Sequence, residues 1–228
     1  MRFALNRDHK DFYAKSGFIE FQKLLSAEAV EALSQEISQV LAARLHTSKP
    51  YPFEKNQKEI FLAGFDLWRE SPLIKKTLFK TAFSHIASEL FQTPFLRVGY
   101  DQYIDTRDGS HPPFHSTCSF NSFSCAHPLA GVMILSLSTP IKPSYNPQDC
   151  PIPSEEGSCI FLSPEIPVSW DLLFSQKDAR LLIFTFGVKT TFYRLHKQDP
   201  QTHAWKRLGY VFGDLLNDAL HPILDTKH

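Results

Sequence analysis

The sequence lacks an excess of either charge, a long hydrophobic run and a secretory leader. Its 24 Lys and Arg residues balance 24 Asp and Glu residues, so the formal net charge is zero. Proteins that bind nucleic acid mainly through phosphate contacts carry a basic excess, so nucleic acid is not the expected partner. No apolar run reaches the roughly 20 residues of a membrane helix. The N-terminus from Met1 to Lys15 is polar and contains acids, unlike a signal peptide. These absences predict a cytoplasmic protein without membrane association.

Glycine is scarce, with 9 residues, whereas proline reaches 16 and phenylalanine 20. Many aromatic residues together with many prolines favour strands and structured loops over a helical bundle. A length of 228 residues suits one large domain. We predict a single domain over 1–228, with a mainly helical part (1–95), a β-rich core (96–195) and a C-terminal helix and tail (196–228).

The sequence also lacks any C-x-x-C pair. Its four cysteines follow no spacing that is typical of a structural zinc site, and we expect them to be reduced thiols. The sequence leaves open whether any of them has a metal or redox role. They are Cys118, Cys125, Cys150 and Cys159.

Capping residues and apolar spacing predict three helices. Ser26 caps a helix whose apolar residues recur at intervals of three and four. Ser71 and Pro72 begin a second helix, which Pro94 closes. Asp199-Pro200 begins a third. The polar stretch from Lys49 to Lys58 is expected to be a loop.

From Arg97 to Val188 the apolar pattern is closer to a period of two, which predicts strands. Pro140–Pro153 contains five prolines and is expected to be a loop or an edge cover. Helices, then strands, then a helix is an α+β order, so we expect a two-sheet jelly roll covered by helices. The predicted strands span 98–104, 114–123, 131–137, 158–162, 167–174 and 180–188.

Three stretches together resemble one known family. They are FYAKSGFIEFQKLLSAEAVEALSQEI near the N-terminus, LRVGYDQYI followed by a loop and His115, and Gly157–Phe161 with Arg180 opening a later apolar strand. In order and spacing the chain resembles phytanoyl-CoA dioxygenase-like proteins, within the Fe(II)/2-oxoglutarate-dependent oxygenase superfamily. The resemblance implies a double-stranded β-helix, of the jelly-roll or cupin-like kind, with buttressing N-terminal helices.

The resemblance also implies an Fe(II) site and a 2-oxoglutarate site. The metal needs two histidines and a carboxylate, the first two written His-x-Asp or His-x-Glu on one strand. His115 matches the first ligand, but Thr117 occupies the carboxylate position. The second histidine should fall near Pro167 or Val168, and no histidine occurs between His127 and His196. Arg180 matches the arginine that pairs with the far carboxylate of 2-oxoglutarate.

With one iron ligand of three, we expect a barrel that is not an ordinary 2-oxoglutarate dioxygenase. It is expected to bind a small carboxylate near His115 and Arg180, or to carry altered chemistry. Arg180 has an alternative role, pairing with an acid at the sheet edge. An alternative function is a divalent-cation-dependent DNA-binding repressor, suggested by ten histidines and a mildly basic segment over 177–207. Ligand identity, any remaining catalysis and the oligomeric state are left open.

Overall fold

The computed structural model describes residues 5–48, 56–106, 117–138, 151–176 and 178–225. The helices are α1 (Arg7–Ser16), α2 (Ala27–Arg44), α3 (Gln57–Ala63), α4 (Pro72–Leu78), α5 (Thr81–Leu90), α6 (Phe120–Phe123) and α7 (Trp170–Phe174). The strands are β1 (Phe18–Phe21), β2 (Arg97–Asp105), β3 (Thr117–Cys118), β4 (Ala126–Ser136), β5 (Cys159–Leu162), β6 (Val168–Ser169) and β7 (Arg180–Tyr193). Helices and antiparallel strands are both present, which confirms the mixed class.

The five longer strands form one antiparallel sheet in the order β1-β5-β4-β7-β2. β4 and β7 pair at the centre, where Met133 lies opposite Phe184. β3 and β6 form a separate two-stranded ribbon. Almost every residue of the two central strands is buried where they pair, which is why they read as continuous apolar runs.

One face of the large sheet is covered by the N-terminal helices. As expected, Ser26 caps α2, with its Oγ accepting from Ala29 N at 3.3 Å. Ser71 caps α4 in the same way, and Pro72 occupies the first turn. The apolar stripe of α2 packs in one cluster with inward residues of the sheet. That stripe consists of Val30, Leu33, Ile37 and Leu41.

The predicted second helix is interrupted. α4 ends at Leu78 and α5 begins at Thr81, so that Phe79 lies at the break. The ring of Phe79 packs 5.2 Å from Trp68 and 6.0 Å from Phe184, between centroids. Helix α3 was not predicted, although Asn56 and Glu59 form a capping box at its start.

Two predicted strands are mostly helical in the structure. Of 114–123, residues 114–116 lie outside the described residues, Thr117–Cys118 is a strand and Phe120–Phe123 is a helical turn. Of 167–174, only Val168–Ser169 is extended. The alternation of apolar residues was too short to separate a strand from one turn of helix.

The predicted C-terminal helix was wrong. After Asp199 the chain forms a 3₁₀ turn (Ala204–Leu208), and Gly209 and Gly213 then take φ of 90° and 100°. Such angles are left-handed and stop a helix. The segment instead follows the end of β7, where Leu216 N donates to Thr191 O at 2.9 Å. In the described part of the chain, no helix is apolar over a length that could cross a membrane.

Candidate functional site

The β3–β6 ribbon brings two of the three expected iron-ligand places onto neighbouring strands. Thr117 pairs with Ser169, and Cys118 pairs with Val168. By the period of two, Thr117 shares a face with Ser169 and Pro167, whereas Val168 points to the opposite, buried face. His115 lies outside the described residues, so its position is not part of this geometry.

The side chains at these positions do not fit Fe(II). Thr117 offers a neutral hydroxyl on an exposed residue, and Val168 is a fully buried aliphatic side chain. Trp170 follows directly, and its indole N–H donates to Cys118 O at 3.2 Å, so it ties the two strands together. Across the described ranges, no three His, Cys, Asp or Glu residues are grouped to hold a metal ion.

Arg180 begins β7 and lies on the helix-covered side of the sheet. By the period of two it shares a face with Leu182 and Phe184, which pack in the same cluster as α2. It lines a small crevice with Ser38 of α2 and Tyr103 of β2. The structure therefore does not bring Arg180 into the interior on the other side of the sheet.

The interior side of the sheet contains the larger cavity. Its free volume is about 20 Å³, which is room for about one water molecule. Its floor is formed by Ile104 and Ile183, which point away from the helices. Its walls are aromatic and are contributed by α3 and the turn after it, β2, α6 and α7. The wall residues are Phe61, Phe65, Tyr100, Phe120, Phe123 and Trp170.

One edge of the cavity is polar and is built around Asp199. The Asp199 carboxylate accepts from Cys125 N and from Gln201 N, both at 2.7 Å. Only 5% of the residue is exposed, and this burial raises the pKa of its carboxyl. Sequence reasoning named Asp199 only as a helix start. It missed the residue because a short polar turn gives no sign of what it will face.

Two glutamines complete that edge. Gln102 Nε2 donates to Phe61 O at 2.7 Å and to Tyr103 O at 2.8 Å. Gln201 Nε2 makes longer contacts of 3.3 Å with Phe61 O and Leu62 O. Because backbone carbonyls only accept, these contacts fix which end of each amide carries the nitrogen.

A buried acid pair joins Asp101, in the middle of β2, to Asp66 in the turn after α3. Asp101 is fully buried, and its carboxylate accepts from Leu67 N and Trp68 N, both at 3.0 Å. Burial and the neighbouring Asp66 raise the pKa of Asp101 to about 7. Asp66 accepts from Arg69 and from the indole N–H of Trp205, each at 2.8 Å. The Asp101 side chain thus caps the turn that follows α3.

His221 joins this network from the C-terminal segment. Its Nδ1 lies 2.9 Å from Gly99 O, and its Nε2 lies 3.2 Å from the Arg69 guanidinium. A carbonyl accepts and a guanidinium donates, so Nδ1 carries the proton and Nε2 accepts. Burial and the Arg69 charge lower the pKa of His221 to about 3. The ring is therefore neutral and structural.

The cysteine thiols of the described residues are not activated. Burial raises the pKa of Cys118, Cys125 and Cys159, and a raised thiol pKa disfavours the reactive thiolate. Cys150 lies outside the described residues. The Cys125 thiol is also hydrogen-bonded to Asp199.

No protein-family model and no curated protein matches the chain. Solved structures do. The non-heme α-ketoglutarate-dependent carbocyclase SnoK from nogalamycin biosynthesis has a TM-score of 0.70 at 14% identity, over 97% of both chains. EctD from S. alaskensis, with 2-oxoglutarate and 5-hydroxyectoine, has a TM-score of 0.61 at 10% identity, over 95% of this chain and 86% of that one. CT296 from Chlamydia trachomatis has a TM-score of 0.50 at 16% identity, over 82% of this chain and 98% of that one.

These similarities define the class of fold. The chain shares the fold of the non-haem Fe(II)/2-oxoglutarate-dependent oxygenases, a cupin-like arrangement of antiparallel sheet and helices. Identities this low establish the fold and leave the activity to be argued from the site.

Proposed function

We propose that this chain is an oxygenase-fold protein similar to the phytanoyl-CoA dioxygenase-like group. On this proposal it binds a small molecule and does not carry out Fe(II)/2-oxoglutarate chemistry. On this proposal its strands complete a double-stranded β-helix. The observation that carries the proposal is the pairing of β3 with β6. The pairing puts Pro167 and Ser169 on the same face as Thr117 and turns Val168 to the other face, so none of the residues at these two expected ligand places is a carboxylate or an imidazole.

The expected loss of metal affinity supports this interpretation. Removing a hydrogen-bond partner of a metal ligand already costs roughly ten- to a hundredfold in metal affinity. Replacing an anionic oxygen ligand by a hydroxyl, and an imidazole by the side chain of Pro167 or Val168, removes two direct bonds to the metal.

The test is metal binding with a restored ligand set. The wild-type protein, titrated with Co(II) as a spectroscopic substitute for Fe(II), is expected to show no ligand-field bands in the visible region. It is also expected not to consume 2-oxoglutarate when given Fe(II) and oxygen. Tight Co(II) binding, or Fe(II)-dependent consumption of 2-oxoglutarate, would contradict the proposal.

A double variant, Thr117→Asp with Pro167→His, puts the expected ligand types on one face of the ribbon. We expect it to gain Co(II) affinity over wild type. The matched control is Thr117→Asn with Pro167→Gln, which adds side chains of similar size that are poor ligands. Thermal melting of both variants shows whether each one folds.

We propose a different place for the expected carboxylate ligand, in the crevice beside Arg180. The crevice beside Arg180 and α2 is where a guanidinium could meet a small anion, since the interior cavity has no cation among its described lining residues. We propose that any 2-oxoglutarate binding depends on Arg180. Calorimetry with wild type and Arg180→Gln, with Arg207→Gln as control, checks this.

The DNA-binding alternative gains no support from the structure. A helix-turn-helix regulator needs a compact group of helices around its recognition helix. In the described residues the basic stretch after Arg180 is the strand β7 and the turns that follow it.

A further inference from the structure

We infer that Asp66 and Asp101 hold one proton between them in mildly acidic solution, and that loss of this proton in alkaline solution releases the turn after α3 from β2. The inference is independent of the proposed function, because neither residue belongs to the β3–β6 ribbon. Three observations lead to it: the contacts that hold the turn on β2, the partners of the four carboxylate oxygens, and the charges around them.

The turn after α3 is held on β2 by backbone and carboxylate contacts. Asp66 N donates to Asp101 O at 2.9 Å. The Asp101 carboxylate accepts the next two backbone N–H groups of the turn, those of Leu67 and Trp68. Asp66 itself has a φ of 55°, a left-handed value that is unfavourable for residues with a Cβ. Contacts with β2 therefore keep a strained residue in place.

The four carboxylate oxygens of the pair are not equally satisfied. Each oxygen of Asp101 accepts one backbone N–H, and Asp66 Oδ2 accepts from Arg69 and from the Trp205 indole. Asp66 Oδ1 is buried and has no hydrogen-bond partner among the described residues. A charged oxygen buried without a donor is unfavourable, whereas a carboxylic acid is neutral. Of the four oxygens, Asp66 Oδ1 thus loses least by carrying a proton.

Direct contacts compensate one negative charge of the pair. In the described part of the chain, Arg69 is the one charged side chain that donates to either carboxylate, at 2.8 Å from Asp66. Arg44 of α2 lies nearby, but its guanidinium is directed to Glu70 and to backbone carbonyls of the turn. Two ionised carboxylates would therefore share one contacting cation.

The other ionisable groups around the pair do not supply a second contacting cation. His221 is neutral, and Arg97 pairs with Asp218. The buried Cys125 thiol has a raised pKa and is uncharged. Arg207 lowers the pKa of the Asp66 carboxyl through its charge, but within the described ranges it donates no hydrogen bond to the pair.

Loss of the shared proton would place two negative charges in one buried site. Burial raises the pKa of both carboxyls, and the Asp66 charge adds to the rise at Asp101. Because the two groups interact, the titration belongs to the pair. Opening of the strained turn to water relieves the repulsion. The turn also carries Phe65, a wall residue of the interior space, so the proton state of the pair affects that wall.

Hydrogen exchange at the Leu67 and Trp68 amides reports the release, because both amides donate to Asp101. Their protection factors, corrected for the intrinsic pH dependence of exchange, are compared at about pH 6 and about pH 9. We expect a fall of about tenfold or more relative to Met133, which is fully buried in the central strand β4. Protection that does not change relative to Met133 would overturn the inference.

A variant removes the pair and keeps its contacts. Asp66→Asn has one charge fewer and retains an oxygen that can accept from Arg69 and Trp205. We expect it to abolish the pH-dependent loss of protection. Asp171→Asn, the same substitution at an exposed position, is the control and should leave that loss unchanged. A loss that persists in Asp66→Asn would also overturn the inference.

A measurement on the wild-type protein covers the case in which Asp66→Asn does not fold. Carboxyl ¹³C NMR with labelled aspartate is expected to show a carboxyl that is protonated at about pH 6 and ionises together with the loss of protection at Leu67. If every aspartate carboxyl is already ionised at that pH, the pair holds no proton and the inference fails.

Discussion

The two faces of the large sheet use the same strands for different purposes. On β7, Leu182, Phe184 and Phe186 face the helices and pack without a sizeable gap, with the two phenylalanine centroids 4.9 Å apart. Their neighbours Leu181 and Ile183 face the interior, where rings enclose free space beside Asp199. One strand thus packs against helices through one face and lines a small interior space through the other. That space has room for about one water molecule, so the difference teaches that two faces of one strand can pack to different densities.

The largest expected effect is on the helix-covered face. Phe184→Ala removes a fully buried ring that contacts Phe79 and Phe186. We expect the free energy of unfolding to fall by about 3–5 kcal/mol, measured by urea denaturation. Leu73→Ala, at a partly exposed position, should stay within about 0.5 kcal/mol of wild type. Equal losses in the two variants would show that this face is not a close-packed core.

A matched pair of enlargements compares the faces directly. Leu182→Phe inserts volume into the packed face and is expected to cost about 1–3 kcal/mol. Ile183→Phe, one residue along the same strand, fills free volume and should be neutral or stabilising by up to about 2 kcal/mol. Chemical denaturation of both variants measures the difference. If Ile183→Phe costs as much as Leu182→Phe, the interior face is packed as closely as the helix-covered face.

A third prediction concerns the pH dependence of stability, which should have opposite signs for the buried residues His221 and Asp101. The pKa of His221 is about 3 in the folded chain, below the ordinary histidine pKa of 6.5. As the pH falls below 6.5, the unfolded chain therefore binds a proton at His221 that the folded chain does not bind. His221 therefore costs stability at low pH. The difference in melting temperature between wild type and His221→Gln should be larger at pH 7 than at pH 4.

Asp101 should show the opposite sign. Its folded pKa of about 7 lies above the ordinary 3.8, so the folded chain holds a proton that the unfolded chain loses, and stability declines as pH rises between these values. The difference between wild type and Asp101→Asn should thus shrink from pH 4 to pH 7. If the stability differences for His221→Gln and Asp101→Asn changed with pH in the same direction, the opposite pKa shifts assigned to His221 and Asp101 would be refuted.

The smallest expected effect is at the sheet edge. Arg180→Gln should change the free energy of unfolding by less than about 1 kcal/mol, because its side chain lines a partly open crevice on the helix-covered face. Urea denaturation measures the change. A larger loss would show that the Arg180 side chain is part of the packed face.

Much of the scaffold was predictable because its signals are local. Ser26 and Ser71 cap helices through contacts three residues away, and the apolar runs of β4, β5 and β7 mark central strands. The prediction of a C-terminal helix was wrong because it gave more weight to the spacing of the leucines than to Gly209 and Gly213. The resemblance to oxygenases also depended on order and spacing along the chain, and the solved structures bear out that superfamily's fold.

The site was less predictable because its parts are distant in sequence. The sequence identified Thr117 and the Pro167–Val168 stretch as wrong for iron, but only strand pairing shows that Pro167 shares a face with Thr117 and that Val168 does not. Arg180 was expected beside a ligand, and a single-residue change in strand phase decides which face it occupies.

By itself the sequence determined the mixed architecture, the cap positions and the absence of carboxylate and imidazole at two expected ligand positions, since these depend on residue type and short-range spacing. The tertiary structure alone decided that Asp199, Gln102 and Gln201 meet at one edge of an aromatic cavity. That convergence joins residues about a hundred positions apart, and it depends on sheet register and packing, which local propensities do not encode.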